Sequence, residues 1–121
     1  MRKVLVIDDY VDAAESLSTL LAANGYQVSA AEDGWQGLAI AGKERPDAIL
    51  LDIKMPRLDG YGFCRRLRAQ PWAQATLVIA ISGMTRKEDY YAAIEAGCDH
   101  YFAKPVEIGP LVALIEHATK H

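Results

Sequence analysis

Short apolar runs and longer amphipathic segments alternate five times along this chain, and this alternation constrains the fold more than any other feature. The apolar runs are rich in β-branched residues, which is typical of strands that are buried on both faces of a sheet. The segments between them repeat apolar residues at helical spacing. Strands that alternate with helices in this way predict a parallel sheet covered by helices on both faces.

The predicted elements fill the chain without a linker or an internal repeat. The predicted strands are Lys3–Ile7, Gln27–Ala31, Ala48–Leu51, Leu77–Ile81 and His100–Ala103. The predicted helices are Val11–Ala23, Asp33–Gly42, Tyr61–Ala69, one that ends at Gly97 and one that follows Pro105. Right-handed crossovers between the strands then give a doubly wound α/β domain, and 121 residues are the length of one domain.

Candidate functional side chains follow four of the five predicted strands. Asp8 and Asp9 follow the first strand, and Asp52 follows the third. Ser82 follows the fourth strand, and Lys104 follows the fifth. In doubly wound sheets the ligand-binding crevice lies beyond the carboxyl ends of the strands. We therefore expect these five side chains to converge at one edge of the sheet.

The chemistry of these groups suits phosphoryl transfer. Three carboxylates at close range repel one another, and Mg²⁺ would offset that repulsion because it favours carboxylate, water and phosphate oxygens. A lysine adds a compact positive charge, and a hydroxyl donates to an oxyanion. An aspartate can be the nucleophile that attacks the phosphoryl group. Taken singly, each residue also fits a helix cap, a turn or a solvated side chain; their joint occurrence favours a functional site.

Four segments, VLVIDD, LLDIKMPRLDG, AISG and GCDHYFAKP, resemble the signature segments of response-regulator receiver domains, the phosphoacceptor modules of two-component signalling. The segments occur in the family's order, and the resemblance covers essentially the whole chain. It implies a flavodoxin-like fold: one five-stranded parallel sheet of order 2-1-3-4-5 with five helices. It also implies that residues 1–121 form a single receiver domain.

The resemblance implies a role for each acidic residue at the strand ends. Asp52 matches the phosphoacceptor. The resemblance implies that the receiver itself catalyses the transfer of the phosphoryl group to this residue and the later hydrolysis of the aspartyl phosphate. Asp8 and Asp9 match the acidic pair that holds Mg²⁺ or Mn²⁺, together with Asp52 and the backbone carbonyl of Lys54. Lys104 matches the lysine that faces the phosphate.

The resemblance also implies a switch. Ser82 matches the hydroxyl that bonds the phosphoryl group, and Tyr101 matches the aromatic switch position. Phosphorylation would then remodel the surface of helix 4, strand 5 and helix 5, which signals to a partner. Lys54 and Met84 flank the site, and we expect them to tune the rates of phosphorylation and hydrolysis. The peptide bond before Pro105 is expected to be cis.

The implied partners are a histidine kinase or a histidine phosphotransfer protein, and a downstream protein target or a covalently linked effector. Kinase docking in the family uses the first helix, where Tyr10, Ala13 and Ser16 lie on the predicted exposed side. An ordinary exposed helix face explains the same pattern. The start MRKVLVIDD favours a natural N-terminus, but the sequence leaves open whether the receiver stands alone or was excised from a larger protein.

Two other protein classes share part of this pattern. A haloacid-dehalogenase-type phosphatase also places an aspartate nucleophile and Mg²⁺ at a strand end, but it expects a second acid where Lys54 stands. A flavodoxin expects a phosphate-cradling first loop, and the acids Asp8 and Asp9 are electrostatically wrong for one. Both remain alternatives to the receiver on sequence alone.

Composition bounds the location and the partners. The net charge of −3 gives no general attraction to nucleic acid or to acidic membranes. No apolar run has the length of a membrane span, and Cys64 and Cys98 show no metal-binding spacing, so we expect a cytoplasmic protein with reduced thiols. Four arginines form a basic cluster that we interpret as a solvated helix face: Arg57, Arg65, Arg66 and Arg68.

Overall fold

The fold was analysed in a computed structural model that describes residues 2–55, 57–83 and 86–119. The strands are β1 (Lys3–Ile7), β2 (Gln27–Ala31), β3 (Ala48–Asp52), β4 (Leu77–Ser82) and β5 (His100–Ala103). The helices are α1 (Val11–Ala23), α2 (Gly34–Glu44), α3 (Gly60–Arg68), α4 (Lys87–Ala96) and α5 (Ile108–Ala118), with a short 3₁₀ helix at Pro71–Ala73. The sequence did not predict the 3₁₀ helix.

The five strands form one parallel sheet in the order β2-β1-β3-β4-β5, which confirms the predicted fold class. In the central register Ile7 lies beside Leu51, and Asp52 lies beside Ile81. The carboxyl ends of β1, β3 and β4 therefore lie next to one another. Both β3 and β4 run one residue further than predicted, so that Asp52 and Ser82 are the last residues of strands rather than the first of loops.

Two apolar layers cover the sheet. One face, with Ile7 and Leu51, packs against α2, α3 and α4 around Phe63. The other face, with Val6 and Leu50, packs against α1 and α5. These strand residues are at most 2% exposed, and burying each contributes roughly 1.5–3 kcal/mol. With both faces covered, the edge at the carboxyl ends is where the strands present polar groups.

Local signals set the ends of α2 and α4. The Asp33 side chain accepts a hydrogen bond from the backbone N–H of Gln36 at 2.8 Å, as an N-cap does. The Oε1 of Gln36 in turn accepts a hydrogen bond from the N–H of Glu32, the residue before the cap, at 2.6 Å. Gly97 ends α4 at φ 117°, where a residue with a Cβ would be strained. Among the described residues, no helix is long and apolar enough to cross a membrane.

Candidate phosphorylation site

Three carboxylates meet at the carboxyl edge of the sheet. Asp8 directly follows β1 and Asp52 is the last residue of β3; both are buried, at 8% and 7% exposure, whereas Asp9 is exposed. Each residue offers one oxygen that lies within 4.8 Å of the other two. This confirms the predicted convergence of these three acids, which the parallel register imposes.

Backbone N–H groups orient one oxygen of each buried carboxylate. The N–H of Tyr10 donates to Asp8 Oδ1 at 2.9 Å, and the N–H of Lys54 donates to Asp52 Oδ1 at 3.2 Å. The other oxygens face a shared cation, because the Lys104 Nζ lies 3.6 Å from Asp8 Oδ2 and 3.5 Å from Asp52 Oδ2. The ammonium group therefore bridges the two acids.

The site has more negative than positive charge. Burial, and then repulsion from Asp8, raise the pKa of Asp52 to about 6, while Lys104 and the N–H of Lys54 act in the opposite direction. One ammonium group does not neutralise three carboxylates. A bound cation would relieve the remaining repulsion.

The donor set fits a small hard cation. One oxygen of each carboxylate lies within 4.8 Å of the other two. Opposite ligand oxygens of an octahedral Mg²⁺ ion, each about 2.1 Å from the metal, lie roughly 4.2 Å apart, so small shifts would let all three oxygens bind one ion. Asp8, Asp9 and Asp52 would hold such an ion, with room for waters and phosphate oxygens on the exposed side. The side chain of Lys54 is exposed, and the role of its carbonyl stays a prediction.

The hydroxyl and the lysine are positioned by the β4–β5 pair. Ser82 is 1% exposed and lies beside Ala103 in the register. The N–H of Lys104 donates to the carbonyl of Ser82 at 2.9 Å, which continues the ladder past the end of β5. The Lys104–Pro105 peptide bond is cis, as expected. The two predicted site residues of this half of the sheet therefore lie at neighbouring strand ends.

The side chain of Tyr101, which the sequence predicts to be the switch residue, is half-buried. Tyr101 lies on β5 beside Ala80 and meets the ring of Tyr90 on α4 edge to face, with the centroids 6.1 Å apart. A change in the position of the Tyr101 ring would therefore change the packing of α4 directly. Met84, predicted to tune the rates, lies outside the described residues.

A cleft of about 550 Å³ runs from the acidic edge between α1 and the segment after β5. The predicted docking residues Tyr10, Ala13 and Ser16 all line it. The sequence analysis did not identify the apolar wall of this cleft, where Leu20, which is 47% exposed, lies with Val106. The sequence contained a signal for this wall, because Leu20 follows Ala13 by two helical turns and therefore lies on the same face of α1.

The sequence matches a known family over most of its length. The family profile of the response regulator receiver domain matches residues 4–116. Response regulator MprA from Mycobacterium leprae is 36% identical over 113 residues, which are 93% of this chain and 49% of that protein. Response regulator PleD from Caulobacter vibrioides is 34% identical over 118 residues, which are 98% of this chain and 26% of that protein. The chain spans at most about half the length of these curated relatives.

Solved structures share the fold. The chemotaxis protein CheY4 of Vibrio cholerae matches with a TM-score of 0.92 at 30% identity, covering 98% of each chain. The receiver domain of a sensor histidine kinase from Pseudomonas aeruginosa matches with a TM-score of 0.91 at 29% identity, covering 99% of this chain and 98% of that one. That receiver is described with a magnesium ion coordinated in its active site cleft.

Proposed function

The chain belongs to the family of response regulator receiver domains of two-component systems, and from this premise we propose that it accepts a phosphoryl group on Asp52. The donor would be a histidine kinase or a histidine phosphotransfer protein. The observation that carries the proposal is the setting of Asp52: it ends β3 beside two further acids, with the Lys104 Nζ 3.5 Å from its Oδ2. Family membership also decides against the phosphatase and flavodoxin alternatives.

The transfer needs an ionised carboxylate and neutralised charge. An oxygen of Asp52 forms a bond to phosphorus as the bond from phosphorus to the imidazole nitrogen breaks, and the electron pair stays on that nitrogen. Lys104 already bridges Asp52 and Asp8 and would meet the negative charge of the incoming group. Bound at Asp8, Asp9 and Asp52, Mg²⁺ or Mn²⁺ would supply further charge neutralisation for the phosphoryl oxygens. Attack by water on the same phosphorus returns the free carboxylate and phosphate.

The signal would pass from the phosphoryl group through Ser82. The hydroxyl of Ser82 sits at the end of the neighbouring strand, from which it would donate to a phosphoryl oxygen. Tyr101 on the adjacent β5 would then change its packing on Tyr90, and with it the surface of α4, β5 and α5. This surface would contact a separate target or a linked effector, with residues 1–121 acting as one receiver module.

The test of phosphoryl transfer is intact mass after incubation with Mg²⁺ and acetyl phosphate, a small donor that needs no docking surface. The wild type should gain the mass of one phosphoryl group. Asp52→Ala should gain none, while Asp12→Ala, which removes an exposed acid from α1, should behave as the wild type. A phosphoryl group that survives in Asp52→Ala refutes the assignment.

The cleft beside α1 is the proposed docking site for the protein donor. Ala13 and Ser16 are small and line it, so a partner helix would approach closely there. Ser16→Arg should slow transfer from the phosphorylated protein donor at least about tenfold. The same variant should accept phosphate from acetyl phosphate at the wild-type rate. Equal transfer from the protein donor to the variant and the wild type would rule out docking at this wall.

A further inference from the structure

Both tryptophans of the chain line one groove between α2 and α3. This tryptophan groove has a volume of about 340 Å³ and is defined by Trp35, Leu38, Arg66, Leu67 and Trp72. Trp35 is 49% exposed, which leaves a large ring in contact with water. The phosphorylation site contributes no residue to its lining. The function proposed above therefore does not account for this groove.

An arginine lies over each tryptophan ring. The Cζ of Arg66 is 4.7 Å from the ring centroid of Trp35, and the Cζ of Arg45 is 5.6 Å from that of Trp72. These are cation–π distances. Within residues 2–55, 57–83 and 86–119, no carboxylate forms a salt bridge with either arginine. Their guanidinium edges therefore keep hydrogen-bond capacity for an anion.

The other arginines of the basic cluster behave differently. Arg57 pairs with Asp33 at 2.8 Å, and Arg68 pairs with Asp99 at 2.9 Å. Arg66 is exposed, as the interpretation of a solvated helix face expects, but its guanidinium group also lies over an aromatic ring from another helix. The result is a positively charged, aromatic strip on a protein whose net charge is −3.

The strip is longer than the groove. Past Trp72 and Arg45 the surface continues into a second depression of about 240 Å³ that reaches Thr76. The one acid in its lining, Asp47, already accepts a hydrogen bond from the N–H of Lys3 at 2.8 Å. Two depressions that share Trp72, the first with Leu38 and Leu67 in its lining, suit a polypeptide segment better than a mononucleotide, and tryptophan and arginine are among the residues most enriched at interface hot spots.

From this geometry we propose that the tryptophan groove binds an acidic segment of a partner protein. An apolar side chain of that segment sits between the two indole rings on Leu38 and Leu67. Its carboxylates pair with Arg66 in the groove and with Arg45, which lies over Trp72 and lines the second depression, so that the charges are complementary. Because the groove shares no residue with the phosphorylation site, binding is expected whether or not Asp52 carries a phosphoryl group.

Tryptophan fluorescence measures this binding directly, since both fluorophores line the groove. The probe is a synthetic peptide of glutamates and aspartates around a central Leu-Phe pair. One matched peptide has a Ser-Ser centre, and another has lysines in place of the acids. The acidic Leu-Phe peptide should change the fluorescence saturably with a micromolar Kd that weakens as salt is added, and both matched peptides should bind at least about tenfold more weakly.

Two variants test the charge and the shape of the groove separately. Arg66→Glu reverses one of its charges. Gly42→Leu adds a large side chain to a residue of its lining, where a Cβ meets no atom within 4 Å and the fold has room for it. Each variant should raise the Kd of the acidic Leu-Phe peptide at least about tenfold. Lys87→Glu, the same charge reversal on the exposed start of α4, should leave the Kd unchanged. Circular dichroism and phosphoryl uptake from acetyl phosphate show that each variant is folded.

The proposal is overturned if the acidic peptide produces no saturable change. It is equally overturned if the lysine peptide binds as well, or if both folded groove variants keep the wild-type Kd. GMP and vesicles of anionic phospholipid are titrated in parallel. Binding of either one without binding of the acidic peptide would assign the groove to a different class of partner.

Discussion

Charged side chains are clustered at both ends of the parallel strands, but only one cluster is saturated with hydrogen bonds. At the amino ends, Arg68 donates from Nε to the carbonyl of Gly97 and from Nη1 to those of Ala73 and Thr76, at 2.7–2.9 Å. Its Nη2 pairs with Asp99 at 2.9 Å. Every nitrogen of the guanidinium group is thus engaged by the protein itself.

At the carboxyl ends the balance is different. Lys104 lies 3.5–3.6 Å from Asp52 and Asp8, and no second cation among the described residues forms a salt bridge with either acid. The pKa of Asp52 rises to about 6 as a consequence of burial and of Asp8. A saturated cluster stabilises the fold, whereas an unsaturated one keeps its capacity for a ligand. The cluster around Arg68 is therefore structural, and the cluster around Lys104 is the candidate functional site.

The largest expected effect tests the saturated end. Arg68→Met should lower the free energy of unfolding by about 3 kcal/mol, because three partly buried carbonyl groups and Asp99 lose their partner. Lys104→Met should lower it by about 1 kcal/mol or less, since the lysine side chain is 37% exposed. Urea denaturation measures both.

Phosphoryl uptake should show the opposite order for these two variants. The folded fraction of Arg68→Met should accept phosphate from acetyl phosphate at the wild-type rate, and Lys104→Met should be strongly slowed. Equal losses of stability in the two variants would remove the distinction between the two ends of the sheet.

The second prediction concerns the charge of Asp52. In metal-free buffer with EDTA, Asp52→Asn should be more stable than the wild type by about 2 kcal/mol at pH 8. With the pKa raised from 3.8 to about 6, the folded state binds the proton more tightly than the unfolded state. Wild-type stability therefore falls as the pH rises from about 4 to about 6, and the advantage of the variant should disappear below about pH 4.

The control for this prediction is Asp12→Asn, which neutralises an exposed acid on α1. Its stability difference from the wild type should show no step between pH 4 and pH 6. A stabilisation by Asp52→Asn that is the same at pH 4 and pH 8 would mean that the charge of Asp52 is not its source.

The sequence predicted the side chains at the carboxyl ends of the strands better than those at the amino ends. The site at the carboxyl end was predictable because parallel pairing alone brings Asp8, Asp52 and Lys104 to one edge. Arg68 was assigned to a solvated face and that was wrong, since its side chain is only 18% exposed. Hydrophobic periodicity treats any charged residue as exposed, whereas an arginine stem can lie along a core while its donors collect carbonyl groups.

Side-chain contacts that helix α3 makes with other parts of the chain were also not predictable from the sequence. The Sγ atoms of Cys64 and Cys98 lie 3.5 Å apart, although 34 positions separate the residues. Arg66 meets Trp35 from another helix. Such pairs depend on how far each helix is rotated about its axis and on the exact depth of packing, and a 3.6-residue pattern constrains both only loosely.

A third prediction tests the capacity of the unsaturated end for a cation. Mg²⁺ at about ten times its Kd should raise the free energy of unfolding by about 1.4 kcal/mol, because it binds the folded state only. Asp9→Asn should abolish this gain, since it removes the exposed member of the three acids. Thermal unfolding with Mg²⁺ and with EDTA measures the difference. A gain of the same size in Asp9→Asn would place the ion elsewhere.

The smallest expected effect lies at the rim of the unsaturated end. Lys54→Ala and Met84→Ala should each change the half-life of the aspartyl phosphate by about two- to fivefold, less than about 1 kcal/mol in the barrier to hydrolysis. The Lys54 variant tests the exposed side chain alone, because the N–H that donates to Asp52 belongs to the backbone and is retained. Lys43→Ala, on the last turn of α2, should leave the half-life unchanged. Half-lives that match the wild type in both variants would show that neither side chain tunes hydrolysis, and would leave its control to the acids, Ser82 and Lys104.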